Sequence, residues 1–91
     1  KNEEDASDRG LVRLGEMPWV VQVGAFKQIE NAEIIVERLK NSGYNIEIIE
    51  NNDDELYLVQ VTRFATIEQA IIAGEDLNDN YGLEFQILER N

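Results

Sequence analysis

From Trp19 onward the sequence repeats itself, and a repeat constrains a fold more tightly than composition does. Trp19-Val-Val-Gln-Val-Gly-Ala-Phe-Lys-Gln-Ile-Glu-Asn-Ala32 aligns with Tyr57-Leu-Val-Gln-Val-Thr-Arg-Phe-Ala-Thr-Ile-Glu-Gln-Ala70. The correspondence continues with Glu37 on Glu75 and Leu39 on Leu77. After one extra residue, Gly43 meets Gly82, Ile48 meets Ile87 and Glu50 meets Glu89. Both halves are therefore expected to fold alike.

Each copy carries the same plan. Trp19–Val23 is β-branched with aromatic flanks, which predicts a strand. Gln28–Asn41 sets Ile29, Ala32, Ile35, Val36 and Leu39 at helical spacing, and Gly43 follows as the stop. Asn45–Glu50 predicts a second strand and Asn51–Glu55 a polar hairpin loop. Copy two predicts a strand over Leu56–Thr62, a helix over Thr66–Tyr81 with its stop at Gly82, and a strand over Glu84–Leu88. Thr66 suits an N-cap, with Gln69 completing a capping box. Ahead of the repeat, Lys1–Met17 is polar and aperiodic over its first ten residues and reads as a tail or linker; the domain is expected over 18–91.

The order β-α-β-β-α-β predicts an α+β domain of ferredoxin-like, or RNP-like, form. Two split βαβ units interleave into a four-stranded antiparallel sheet, with two helices on one face and the first and third strands central. Alternation along a strand sends Val21, Val23, Val59 and Val61 toward the helices, with Trp19 and Tyr57 extending those rows. It sends Val20, Gln22, Leu58, Gln60 and Thr62 to the open face. On the edge strands Ile46, Ile48, Phe85 and Ile87 face the helices, while Glu47, Ile49, Glu84, Gln86 and Leu88 face outward. Gln22 and Gln60 thus hold equivalent positions beside apolar Val20 and Leu58. An amide offers both a donor and an acceptor, which suits sugar hydroxyls, N-acetyl groups and peptides. Glutamine on a wet strand also serves solubility alone, and residue type does not separate the two readings.

Charge removes several function classes. The net charge is −11, from eight basic and nineteen acidic residues. The basic residues are scattered, so no stripe exists to displace counterions from phosphate, and nucleic acid is not an expected partner. An RNA-binding version of this topology also needs aromatics on the open face, whereas Trp19 and Tyr57 fall on the other row. The acidity opposes an anionic membrane surface, and no apolar run approaches the roughly 20 residues of a span, so no membrane insertion is expected.

Catalytic chemistry finds no constellation. The sequence has no cysteine and no histidine, which removes thiolate metal sites and the commonest general base. Glu47 and Glu84 fall on opposite edges of the sheet, whereas paired carboxylates cleave glycans from about 5–10 Å apart. Ser7 and Ser42 have no histidine to activate them. Asp76-Leu-Asn78-Asp-Asn80 imitates a calcium loop, but its glycine comes one place late at Gly82 and no bidentate glutamate follows. Asn51–Glu55 reads as a solvated turn. These patterns predict a binding module, not an enzyme, with no metal and no cofactor.

Trp19-Val-Val-Gln-Val-Gly-Ala-Phe26, followed by Asn31-Ala32, Leu39 and Gly43-Tyr44, resembles the start of a SPOR domain (sporulation-related repeat). Leu56-Tyr57-Leu-Val-Gln-Val61, Phe64, Glu68-Gln69-Ala70 and Leu77 resemble its second half. The likeness runs from Pro18 to Glu89. It implies a bacterial cell-envelope protein, on the periplasmic side, whose open sheet face binds peptidoglycan and prefers glycan strands stripped of their stem peptides. It also implies an upstream membrane tether in many members, frequent placement at division sites, and other envelope or division proteins as further partners. The family's strand-one glutamine corresponds to Gln22, and the small residue after the glycine, usually serine, to Ala25. Its strand-three arginine falls on Leu58, and the Gly-Pro that ends that strand is Thr62-Arg63 here.

The expected glycan-binding set is therefore Gln22, Val20, Ala25, Leu58, Gln60 and Gln86. Gln22 hydrogen-bonds the glycan, Gln60 and Gln86 assist, and Val20 and Leu58 form an apolar floor for sugar faces. A second reading keeps the scaffold and assigns its acidic face or edge strands to a partner protein.

Overall fold

The structure, a computed structural model, describes residues 17–90 and carries six elements in the expected order. They are β1 (Trp19–Phe26), α1 (Ile29–Leu39), β2 (Asn45–Asn51), β3 (Leu56–Phe64), α2 (Ile67–Tyr81) and β4 (Gln86–Glu89). The tail expected over Lys1–Met17 lies outside the described residues except for Met17.

Capping chemistry sets the helix ends. The Thr66 hydroxyl accepts from the Gln69 backbone N–H at 3.2 Å. The Gln69 side chain reaches back to the Ala65 N–H at 3.0 Å, one residue before the N-cap. The expected capping box therefore closes with its return bond displaced by one. At the other end Gly82 takes φ 70°, and its N–H returns to the Asn78 carbonyl at 2.9 Å. An L side chain is strained in that left-handed conformation, so glycine suits the stop. α1 ends at Leu39, two residues earlier than its periodicity suggests, and the chain turns through Gly43 at φ 90° into β2.

The sheet order is β2-β3-β1-β4 with every neighbouring pair antiparallel, so β1 and β3 are central. Val21, Val23, Val59 and Val61 are buried with Ala32 and Leu39 of α1 and Ala70, Ala73 and Leu77 of α2. Both helices thus cover one face. Trp19, Tyr57, Ile46, Ile48, Phe85 and Ile87 pack around that cluster, as alternation predicts.

Simple alternation fails at two places in the central pair. The β1–β3 register shifts between Trp19 and Val21, where β3 carries an extra residue, and again between Gln22 and Gly24, where β1 does. The first irregularity includes Arg63 at φ 79°. The second is a bulge that reverses the parity of β1. Gly24 pairs with Val59, on the helix side, and a Cβ there would overlap the Phe26 ring. Ala25 pairs with Leu58, and Phe26 with Tyr57. The bulge therefore carries Ala25 onto the open face, where unbroken alternation would have turned it to the helices.

Candidate functional site

Register assembles the open face into rows. Glu47 pairs with Gln60, Gln60 with Gln22, and Gln22 with Gln86. One polar row, Glu47–Gln60–Gln22–Gln86, thus crosses all four strands, and three interstrand gaps give it a span of about 14 Å. Beside it runs an apolar row, Ile49–Leu58–Ala25. On its other side lie Asn45 opposite Thr62, and Val20 opposite Leu88.

Hydrogen bonds tie the polar row together. Gln60 Nε2 donates to Gln22 Oε1 at 3.2 Å. Gln60 Oε1 accepts from Arg90 Nη2. Arg90 Nη1 lies 3.4 Å from Glu47 Oε1. The other Glu47 oxygen accepts from the Thr62 hydroxyl at 3.2 Å and from Asn45 Nδ2 at 3.4 Å. Gln60 is 7 % exposed and uses both ends of its amide within the protein, which fixes the orientation of its Gln22 neighbour. Gln22 is half-buried; among the described residues its amide nitrogen has no partner, leaving two N–H donors for a ligand.

The face has relief. Pairing of β1 with β4 stops at Gln22 and Gln86, and beyond that point the chain before β4 diverges from β1. A depression of 320 Å³ opens there, lined by Gln22, Gly24, Ala25, Glu84 and Gln86 among others. A second, of 410 Å³, lies between Ile49, Leu58 and the end of β2 with the turn that follows it, Glu50 to Asp53. Both are shallow and flank the polar row. Such an arrangement suits an extended polar chain laid across the strands, with amides meeting hydroxyls or N-acetyl groups.

The six expected site residues divide accordingly. Gln22, Gln60 and Gln86 share the polar row, and Ala25 and Leu58 are neighbours in the apolar one. Val20 is a correction: it is 2 % exposed, set between Leu88 and the β3 irregularity at Thr62 and Arg63, and offers no floor for a sugar. The expected supporting contact from Gln60 is also changed, since its amide is buried and engaged.

Arg90 is the residue that sequence reasoning missed. It lies just past β4, and its N–H bonds to the Pro18 carbonyl at 2.7 Å, so it continues the β1–β4 pairing. Extending the parity of Gln86 and Leu88 by one step would have placed it on this face.

A family model described as SPOR domain matches residues 15–83. The solution structure of the peptidoglycan binding domain of the B. subtilis cell wall lytic enzyme CwlC is similar to this chain at a TM-score of 0.69. Its identity is 24 %, over 82 % of this chain and 91 % of that one. No curated protein matches the sequence.

Proposed function

The chain belongs to the SPOR domain family, and from that premise we propose that its open sheet face binds peptidoglycan glycan strands without cleaving them. The observation that carries this reading is the glutamine row in register across β3, β1 and β4 beside the apolar Leu58 and Ala25, in which buried Gln60 orients Gln22 while Gln22 and Gln86 face a ligand. Peptidoglycan offers hydroxyls and N-acetyl groups at regular intervals along an extended chain. A fixed row of amides matches that spacing chemistry without needing a deep pocket. The CwlC domain, whose fold this chain shares, is named for peptidoglycan binding, which supports the same ligand here.

The two carboxylates at the sheet's edges favour binding without hydrolysis. Glu47 on β2 and Glu84 before β4 stand at opposite edges, a separation of about 14 Å by strand spacing and beyond the roughly 5–9.5 Å used by glycosidases. Glu47 also accepts from the Thr62 hydroxyl at 3.2 Å. The preferred ligand is glycan stripped of stem peptides, and the site of action is the bacterial envelope on its periplasmic side, where division proteins are further partners.

Co-sedimentation with purified sacculi, before and after amidase treatment, tests this. The domain pellets more strongly after treatment, and Gln22→Ala lowers retention about tenfold, the loss of one or two hydrogen bonds, while the domain stays folded at the assay temperature despite the partner Gln60 loses. Retention of Gln22→Ala equal to the parent removes that residue from the site. Failure of the parent domain to pellet under any condition rejects glycan as the ligand and turns attention to a partner protein.

A further inference from the structure

The open face holds a cation beside the polar row although Leu58, within β3, is not one. A guanidinium lies over the polar row because Arg90, just past the end of β4, reaches back across it. Its backbone is fixed to Pro18, and one side-chain nitrogen is anchored on Gln60, whose amide in turn holds Gln22. A guanidinium carries five N–H donors, and two bonds to Gln60 and Glu47 leave three.

The Glu47 contact is a loose one. Charge-assisted bonds of this kind close to about 2.7–2.9 Å, whereas Arg90 Nη1 stands 3.4 Å from Glu47 Oε1. The two side chains are 43 % and 39 % exposed, so water screens the pair and its net worth is small. Glu47 has a partner besides Arg90, because the Thr62 hydroxyl donates to its other oxygen at 3.2 Å. The carboxylate therefore sits at the guanidinium as a weakly bound occupant, one that a better-aligned carboxylate can displace while Glu47 keeps its remaining partners.

We propose that Arg90 is a carboxylate-reading residue of this face, and that Glu47 is its internal stand-in, displaced when a ligand carboxylate takes the guanidinium in two-pronged fashion. The proposal rests on the glycan reading and sharpens it. Glycan freed of stem peptides exposes lactyl carboxylates, and these are the groups Arg90 would select. Gln22, oriented by Gln60 in line with Arg90, would hold the neighbouring sugar in register. Arg90 then favours stripped glycan at the lactyl position itself, since a lactyl group still in amide linkage to a peptide has no carboxylate to offer there.

The test compares the parent domain with Arg90→Gln, Arg90→Lys and Glu47→Gln on amidase-treated sacculi, and on the same sacculi after their carboxylates are converted to amides. Arg90→Gln is expected to weaken retention at least about tenfold, the worth of a charge-assisted pair. Arg90→Lys should restore little of it, because an ammonium cannot make the paired contact. Glu47→Gln should strengthen retention several-fold. At about 0.15 M salt, where long-range repulsion is screened, carboxylate conversion should lower the parent to the Arg90→Gln level and leave Arg90→Gln unchanged; the parent arm uses the unaltered protein and is independent of any folding defect. Equal retention of parent and Arg90→Gln, with Gln22→Ala still impaired, would overturn the role of Arg90 and leave the glycan reading standing. No retention of the parent on either preparation would overturn both.

Discussion

Tyr44 ties the two copies of the repeat together through one hydroxyl. Its O–H donates to Asp76 of α2 at 2.9 Å, and its ring packs edge-on to Phe64 at a centroid distance of 6.3 Å. Partial burial first, then the bond to Asp76 and its negative charge, raise the Tyr44 pKa above the ordinary tyrosine value. A proton held more tightly in the folded state than in the unfolded one stabilises the fold below the unfolded pKa of about 10. That contribution is lost as pH rises through the higher folded value. Tyr44→Phe is therefore expected to cost about 1 kcal/mol at neutral pH, the worth of one hydrogen bond. It should also remove part of the alkaline decline seen in the parent. Urea melts between about pH 8 and pH 11 measure both effects. Parallel alkaline curves for the two proteins would show that the hydroxyl carries no such linkage. The same scale decides which site residues a reader of sequence can see. Gln22 and Gln60 stand out because the repeat sets them in equivalent positions. Arg90 does not, because the apolar pattern of β4 ends at Leu88 while the backbone pairing continues to Pro18.

Periodicity and capping residues predict all six elements to within a few residues of their ends, because each half repeats the same strand and helix signals. The bulge between Gln22 and Gly24 leaves no such signal, since it arises from how β1 and β3 meet. Two site residues hang on that encounter. Ala25 reaches the open face through the bulge, and Val20 loses its exposure beside the other irregularity. Packing between elements likewise overrides propensity at Gly74, inside α2. In an isolated helix Gly74→Ala would add about 1 kcal/mol of helix stability. Here the new methyl would overlap the Phe85 ring, which packs on the core and leads into β4. The expected result is a net loss of about 1–3 kcal/mol from overpacking. A smaller side chain at 85, as in Gly74→Ala with Phe85→Leu, should cost less than the two single effects added. Chemical denaturation of the four proteins reads the coupling, and a Gly74→Ala domain more stable than the parent would reject the close helix–strand contact.

Over the whole molecule, charge and ligand are of the same sign. A chain at −11 approaching a glycan that bears carboxylates meets long-range repulsion, while Arg90 attracts only across a hydrogen-bond distance. Salt separates the two, because screening acts strongly on charges farther apart than the Debye length, about 10 Å at 0.1 M, and weakly on a contact pair. Adding salt at the low end of the range should thus remove repulsion faster than it weakens the guanidinium contact. Retention on amidase-treated sacculi is expected to rise between about 0.02 and 0.15 M salt, the reverse of what a basic groove on a polyanion does. Arg90→Gln should show the same rise at a lower level, since the repulsion it escapes belongs to the whole surface. A steady fall in retention from the lowest salt would mean that attraction at long range dominates. The binding partner would then be a cationic surface, such as a basic protein, and the acidic face would be the docking surface.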